Sequence, residues 1–139
     1  MVKKLLLLLM LSVSLFGFDK HVSNGEIMGT SKCPVCSMDI HKFYKTSHAL
    51  KHKDGKEEHF CSMVCLKKGM KAGDSIYVAN AKTGKMINAK SAVYVIGSDV
   101  PSTMGAAKSK VAFASKSDAQ AFQKKHGGVI GSFADALKE

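Results

Sequence analysis

The chain has 139 residues, enough for one compact domain or two very small units folded together. Its formal net charge is +10, and lysine carries all of the positive charge because the sequence contains no arginine. Since the planar guanidinium does most of the reading of bases and phosphates, this absence argues against specific nucleic-acid recognition. The lysines are spread along the chain, which favours a solvated basic surface. A weak attraction to an acidic partner or to anionic lipid stays open.

The N-terminus has the composition of an export signal. Two lysines precede an apolar run from Leu5 to Phe16, and Gly17 supplies a small residue for cleavage. About a dozen apolar residues are too few to span a bilayer, so residues 1–17 are predicted to be a signal peptide, with an uncleaved anchor as the alternative. No cysteine follows the run to carry a lipid. We therefore expect a periplasmic protein that contacts the membrane only if this segment is retained.

The first globular segment is predicted to combine a hairpin with a short helix. Residues 18–31 are polar and are predicted to form a flexible lead-in. An Asp54-Gly55 turn predicts the hairpin, and Ser62 is placed to cap the helix that follows it. The predicted strands of this unit cover residues 43–52, 57–61 and 75–79.

The second half is predicted to repeat this order. Its predicted strands cover residues 92–96, 110–114 and 129–133, with a helix from Ser117 to about Lys125 between the last two. Glu58–Ser62 aligns with Val111–Ser115, which places Ala114 at the position of Cys61. The predicted fold is therefore α+β, with two tandem β-β-α-β units over residues 32–85 and 86–139.

The first motif that carries chemistry is Cys33-Pro-Val-Cys36-Ser-Met38. Two cysteines separated by two residues can bind one metal ion, because the turn between them brings both sulfurs to the same side. Met38 adds a thioether, and thiolate with thioether is a soft ligand set suited to copper(I), silver or mercury. The alternative for Met38 is that it fills a gap in the core.

The second motif contains Cys61 at the end of a predicted strand and Cys65 one helical turn later. A Cys-x2-Cys pair followed by a pair at a helix start is typical of treble-clef structural zinc domains. Two disulfides also fit an oxidising compartment, and a Cys-x-x-Cys redox centre is the enzymatic alternative. The redox centre is disfavoured because the first motif follows a lead-in and precedes strand-like sequence.

Met104 lies on a loop of small residues in the second half, where it has little local core to fill. Two interpretations stay open for it. It is either an ordinary loop methionine or an additional ligand that reaches toward the first cysteine pair.

Taken together, the chain resembles the NosL family of nitrous oxide reductase accessory proteins. The resemblance covers about residues 33–135, and its segments occur in the family's order. They are Cys33–Met38, Phe60–Ser62, Ile76–Val78, Ile87–Ala89, Ser91–Gly97, Met104–Gly105 and His126–Gly128.

The resemblance implies a copper(I)-binding chaperone that is not an enzyme. Its partner would be a copper-accepting periplasmic client, namely nitrous oxide reductase or the machinery that matures it. It implies a fold similar to the treble-clef-like part of organomercurial lyase. By position, Cys33, Cys36, Met38 and Met104 are the leading copper ligands, with Cys61 next.

The chain departs from the family pattern at three points. Ser37 stands where the family usually has glycine, the lipid-bearing cysteine of many members is missing, and Cys65 is not a usual feature. Cys65 raises the question of whether the site is an open carrier or a closed four-cysteine zinc knot.

A carrier must release its metal, so it should use two or three ligands and leave an approach for a partner. We therefore hypothesise that Cys33, Cys36 and Met38 form the transferable site and that Met104 closes over it. Cys61 and Cys65 would then support the site or hold a second ion. The alternatives are a periplasmic adaptor stabilised by structural zinc or disulfides and, less favoured, a thiol–disulfide oxidoreductase.

Overall fold

The computed structural model describes residues 22–23, 26–27, 32–40, 42–103 and 108–139. The described strands are β1 Val22–Ser23, β2 Glu26–Ile27, β3 His48–Lys51, β4 Glu57–Phe60, β5 Ser75–Ala79, β6 Met86–Asn88, β7 Val93–Ile96, β8 Lys110–Phe113 and β9 Val129–Gly131. The described helices are α1 Met63–Gly69, α2 Lys116–His126 and α3 Phe133–Lys138, with 3₁₀ turns at Tyr44–Thr46 and Ala89–Ser91.

The predicted signal peptide lies outside the described residues. Of the predicted lead-in between residues 18 and 31, the structure describes β1 and β2, which pair with each other in antiparallel fashion. No helix in the described ranges has both the length and the apolar character that crossing a bilayer requires.

The first sheet is antiparallel and has the strand order β4-β3-β5-β6. The hairpin between β3 and β4 turns at Gly55, whose φ of +86° lies in the left-handed region that glycine adopts without a side-chain clash. The main-chain N–H of His52 donates to the carbonyl of Lys56 at 2.9 Å and closes the turn. The predicted Asp-Gly hairpin is confirmed.

The second sheet repeats the connectivity of the first, with the order β8-β7-β9. In each sheet the first strand of the unit lies in the middle, the second strand flanks it, and the strand after the helix pairs on its other side. Phe60 and Phe113 each end the second strand, and Ser62 and Ser115 each occupy the N-cap position of the following helix. The predicted α+β fold with a repeated β-β-α-β order is confirmed.

The predicted strand over residues 43–52 is wrong in its first half. Residues Tyr44–Thr46 form a 3₁₀ turn, and β3 begins only at His48. The main-chain N–H of Thr46 donates to the carbonyl of Phe43 at 3.1 Å, which closes this turn in place of an extended backbone.

The C-terminal end differs from prediction in the same way. The strand predicted over residues 129–133 ends at Gly131, because Ser132 begins α3, a helix that the sequence analysis missed. The Ser132 hydroxyl accepts from the N–H of Asp135 at 3.2 Å, and the Asp135 carboxylate accepts from the N–H of Ser132 at 2.8 Å. This reciprocal capping box starts a six-residue helix, and Phe133, Ala136 and Leu137, at the i, i+3, i+4 spacing, pack that helix on the main core.

The strand β6 was also not predicted. It pairs with β5 through Tyr77, Val78 and Ala79, so it is the fourth strand of the first sheet. In sequence it falls within residues 86–139, the range predicted for the second unit.

The two units share one main core. Its buried members come from both sheets, from α1 and from α3, and they include three of the four cysteines. His48 and Tyr94 join the units directly, with 3.1 Å between the His48 Nε2 and the Tyr94 hydroxyl. A smaller core around Val95, Val111 and Phe113 lies between the second sheet and α2. The cysteines are therefore positioned by the packing of both units against each other.

Candidate metal centre

The first cysteine pair lies on a tight turn. The N–H of Cys33 donates to the carbonyl of Met38, and the N–H of Ser37 donates to the carbonyl of Cys33, both at 2.9 Å. Ser37 has a φ of +61°, a left-handed conformation that costs a residue with a Cβ about 1 kcal/mol. The left-handed conformation of Ser37 reverses the chain after Cys36, which lets the Met38 carbonyl accept from the N–H of Cys33.

The turn also bears on the redox interpretation. A Cys-x-x-Cys redox centre places its first cysteine at the start of a helix, where the helix dipole lowers the thiol pKa. Here residues 34–36 form a turn, and the chain continues to an isolated bridge between Lys32 and Asp39 without a helix. The described turn therefore lacks the helix start that the redox interpretation requires.

The second pair lies where β4 passes into α1. Cys61 directly follows the strand, and Cys65 is the third residue of the helix, so their side chains lie one helical turn apart. The hydroxyl of Thr46 donates to the Cys61 carbonyl at 2.7 Å and fixes the main chain at this junction. Ser62 occupies the N-cap position but makes no side-chain capping bond, and its hydroxyl lies 3.9 Å from the Cys61 sulfur.

All four cysteine sulfurs converge within 4.8 Å of one another. The Sγ atoms of Cys36 and Cys61 are 3.4 Å apart, and those of Cys61 and Cys65 are 3.9 Å apart. A metal–sulfur distance of about 2.3 Å places the sulfurs of a tetrahedral site about 3.8 Å apart, and those of a three-coordinate site about 4 Å apart. All four are free thiols, and their spacing fits one ion held by three or four sulfurs.

The four thiols differ in how readily they lose a proton. Burial raises the pKa of Cys33, but main-chain N–H groups of Cys61, Cys36 and Val35 outweigh it and lower that pKa to about 7. Burial raises the pKa of Cys61 to about 11, with a further upward contribution from Cys36, and burial is the main cause that raises the pKa of Cys65. Cys33 is therefore a ready thiolate at neutral pH, whereas metal binding must displace the protons of the two deeper thiols.

The centre is approached from one side. Cys33, Cys61 and Cys65 are buried, whereas Cys36 is half-buried. Val35 beside it is 37% exposed, so the rim of the turn at Cys36 faces solvent. Cys36 is the most exposed of the four cysteines.

The structure describes only one of the two methionines that were predicted to be metal ligands. Met38 is half-buried and packs against the main core that contains Cys33, Cys61 and Cys65. Met104 lies outside the described residues. The residue before it, Thr103, is buried, and its hydroxyl lies 3.5 Å from the Cys61 sulfur.

Thr46 and Thr103 are the residues of the centre that sequence analysis missed. Neither belongs to a motif, because each meets Cys61 only through the packing of the turn at residues 44–46 and of the second-unit loop onto the first unit. The position of Thr103 directly before Met104 was the one available signal.

The chain is similar to a known protein family and to a solved structure. The family model for NosL matches residues 24–139. The crystal structure of the copper chaperone NosL from Shewanella denitrificans is similar, with a TM-score of 0.62 and 27% identity, covering 76% of this chain and 89% of that one. No curated protein sequence matches at a significant level. This chain belongs to the NosL family.

Proposed function

We propose that this chain is a copper(I) chaperone, which binds the ion at the four-cysteine centre and passes it to another protein. The observation that carries the proposal is the convergence of four free thiols within 4.8 Å. Thiolates are soft ligands that select copper(I) over hard cations. Membership of the NosL family and the similarity to a solved copper chaperone support the same metal.

Cys33 and Cys36 supply the first two ligands. The 3.4 Å separation of the Cys36 and Cys61 sulfurs favours Cys61 as the third, which gives it a larger part than a supporting role. Met38 and Met104 are the neutral thioether candidates. For Met104 the support is that its neighbour Thr103 contacts the Cys61 sulfur. Cys65, one helical turn beyond Cys61, supplies the fourth sulfur if the ion is bound by all four thiolates.

Release requires an exposed route for the ion. Half-buried Cys36 is the sulfur that a partner's ligand reaches first, so the ion can pass by ligand exchange in which the partner's thiolate or thioether replaces one sulfur at a time. The departing cysteines regain protons at Cys61 and Cys65, whose high pKa values favour the thiol form and so favour release. The proposed transfer exchanges metal–sulfur bonds and thiol protons and converts no substrate, so the chain is not an enzyme.

The client is the copper-dependent nitrous oxide reductase or the machinery that matures it, in the periplasm. The support is the resemblance of the ordered motifs to the accessory proteins of that enzyme, together with an N-terminal segment of signal-peptide composition. Through this supply of copper the chain would take part in denitrification.

The test is anaerobic titration of the reduced protein with copper(I) in competition with a chromophoric copper(I) chelator. We expect one tightly bound copper per chain, and we expect the double variant Cys33→Ser/Cys36→Ser to lose it. The matched control is Ser31→Ala/Val35→Ala, which changes the same segment but no sulfur and keeps the left-handed Ser37. Retention of wild-type copper binding by the double cysteine variant would overturn the proposal.

A structural zinc site is the second candidate. Four buried or half-buried thiols with spacings near the edge of a ZnS₄ tetrahedron favour it. Metal analysis of protein purified anaerobically from the periplasm separates the two, since a carrier retains copper or no metal, whereas a structural site retains zinc through dialysis against a chelator.

A further inference from the structure

A groove that takes no part in the proposed copper binding lies beside the four-cysteine cluster. A cleft of about 470 Å³ lies between Phe43 and Tyr44 on one wall and Val100 and Pro101 on the other. A second cleft of about 370 Å³ adjoins it at Lys45 and contains Phe113 and Phe122. We call the two clefts, which share Lys45, the aromatic groove.

The rim of the aromatic groove is positively charged. Its lining includes four lysines and one carboxylate, and Lys82 binds that carboxylate, Asp118, at 2.7 Å. Within the described ranges no carboxylate pairs with Lys42, Lys45 or Lys125. The ammonium of Lys42 instead lies 5.6 Å from the centre of the Phe43 ring.

Both walls of the groove lead directly to Cys61. Thr46 lines the first cleft and donates its hydroxyl to the Cys61 carbonyl at 2.7 Å. Two residues beyond Pro101 on the other wall, the Thr103 hydroxyl lies 3.5 Å from the Cys61 sulfur. A molecule in the groove would therefore contact both segments that hold this cysteine.

We propose that the aromatic groove is the docking site for an acidic segment, with an apolar anchor residue, of the protein that exchanges copper with this chain. This inference rests on the proposed function. Lysines occur all along the chain, so charge alone would not distinguish this surface. The aromatic floor does, because a free inorganic anion has no apolar part to bury there, whereas a peptide side chain has.

Other occupants fit the charge less well. A second copy of this chain also carries +10, so two copies repel one another. The chain's own N-terminal segment before residue 26 carries a single acidic residue, Asp19, beside Lys20, and retention of residues 1–17 would add Lys3 and Lys4. A separate protein with an acidic surface is the complementary partner, and attraction between opposite charges also speeds its encounter.

The probe is a fluorescein-labelled peptide of twelve residues, rich in aspartate and glutamate, with one central phenylalanine. Fluorescence anisotropy at low salt measures its dissociation constant. We expect Lys42→Glu/Lys45→Glu to weaken binding by about tenfold or more, since two attractions become two repulsions. The matched control Lys53→Glu/Lys90→Glu has the same net charge, and we expect a change of about twofold or less from it.

Two further measurements locate the site. Replacing the central phenylalanine of the peptide by alanine should weaken binding about tenfold, because the anchor's buried apolar area is lost. Amide chemical-shift changes in the two-dimensional nitrogen–proton spectrum should concentrate in and beside the lining of the two clefts, at residues 42–46, 99–103 and 118–126.

Equal weakening by both lysine double variants would overturn the inference, as would shift changes spread over all lysines. Tighter binding to phosphatidylglycerol vesicles than to the peptide would replace the acidic protein by a lipid surface, and self-association that blocks the peptide would replace it by a second copy. Copper(I) titration of the same variants keeps the two proposals apart. If the wild type binds the peptide in the groove but binds no copper(I), the proposed function fails and a docking site remains.

Discussion

The two units of the fold use the same strand-to-helix junction for different purposes. In the first unit the junction reads Phe60-Cys61-Ser62, and in the second it reads Phe113-Ala114-Ser115. The sulfur of Cys61 is buried among three other thiols, whereas Ala114 is exposed to solvent. The backbone geometry is shared, so the chemistry comes from the one side chain that differs and from what packs against it.

The serine that follows the junction residue makes different hydrogen bonds in the two units. The Ser115 hydroxyl accepts from the N–H of Asp118 at 3.2 Å and caps α2. The Ser62 hydroxyl makes no such bond and lies near the Cys61 sulfur instead. The first unit, which contains the four-cysteine cluster, lacks this helix cap, whereas the second unit keeps its cap and supplies a loop that contacts Cys61 through Thr103.

Exchanging the junction residues gives the largest expected effect. Cys61→Ala should lower copper(I) affinity by more than the roughly 10–100-fold typical of supporting residues, because a ligand is removed. Ala114→Cys should add one reactive thiol without adding a metal site, since no other cysteine lies in the second unit. Chelator competition and thiol titration measure the two outcomes. Unchanged affinity in Cys61→Ala would show that Cys61 is not a ligand.

The paired phenylalanines provide the next test. Phe60 is 1% exposed in the main core and Phe113 is 3% exposed in the smaller core, so each change to alanine should cost about 3–5 kcal/mol in free energy of unfolding. Urea unfolding of the reduced protein measures this cost. The difference should appear in copper(I) stoichiometry, which Phe60→Ala should lower and Phe113→Ala should leave intact. Loss of copper binding in both variants would mean that the centre depends on overall stability alone.

His48, which joins the two units through Tyr94, should make the free energy of unfolding depend on pH. Complete burial is the main cause that lowers the pKa of His48 to about 4, the positive charge of Lys110 adds to it, and the Thr46 carbonyl opposes it. Because the unfolded imidazole takes up its proton near pH 6.5, the free energy of unfolding should fall by about 3 kcal/mol as pH falls from 6.5 to 4. His48→Gln should flatten this slope in urea unfolding measured at several pH values.

His52, at the other end of the same segment, supplies a control of opposite sign. It lies 2.9 Å from the Glu58 carboxylate and 2.8 Å from that of Asp74, and these contacts raise its pKa. Its contribution to stability is therefore present below pH 6.5 and is lost as pH rises through its folded pKa. His52→Gln should remove the loss of stability in the neutral-to-alkaline limb, and it should also change the acid limb, because its contacts lower the pKa of Glu58 and of Asp74. His48→Gln, in contrast, should flatten the acid limb and leave the alkaline limb as it is, and an unchanged acid limb in that variant would mean that His48 is not a source of it.

Sequence reasoning reached the repeat and the four cysteines because both are written in local patterns. The Asp54-Gly55 turn, the spacing of the thiols and the alignment of Phe60 with Phe113 each depend on neighbours in the chain. It missed β6 and the contact of Thr103 with Cys61, since these arise from packing between segments far apart in sequence. It missed α3 although the Ser132 capping box was visible, because the strand-like Val129–Gly131 was extended too far.

The smallest expected effect separates the two serines. Ser115→Ala removes a cap and should cost about 1 kcal/mol of stability, with no change in copper(I) affinity. Ser62→Ala removes no capping bond, so it should cost less in urea unfolding. Since the Ser62 hydroxyl lowers the pKa of Cys61, its loss should raise that pKa further and weaken copper(I) binding a few-fold near neutral pH. The weakening should shrink as pH rises, because fewer protons then compete with the metal. An equal stability loss in both variants, with no change in copper affinity, would remove the functional distinction between the two junctions.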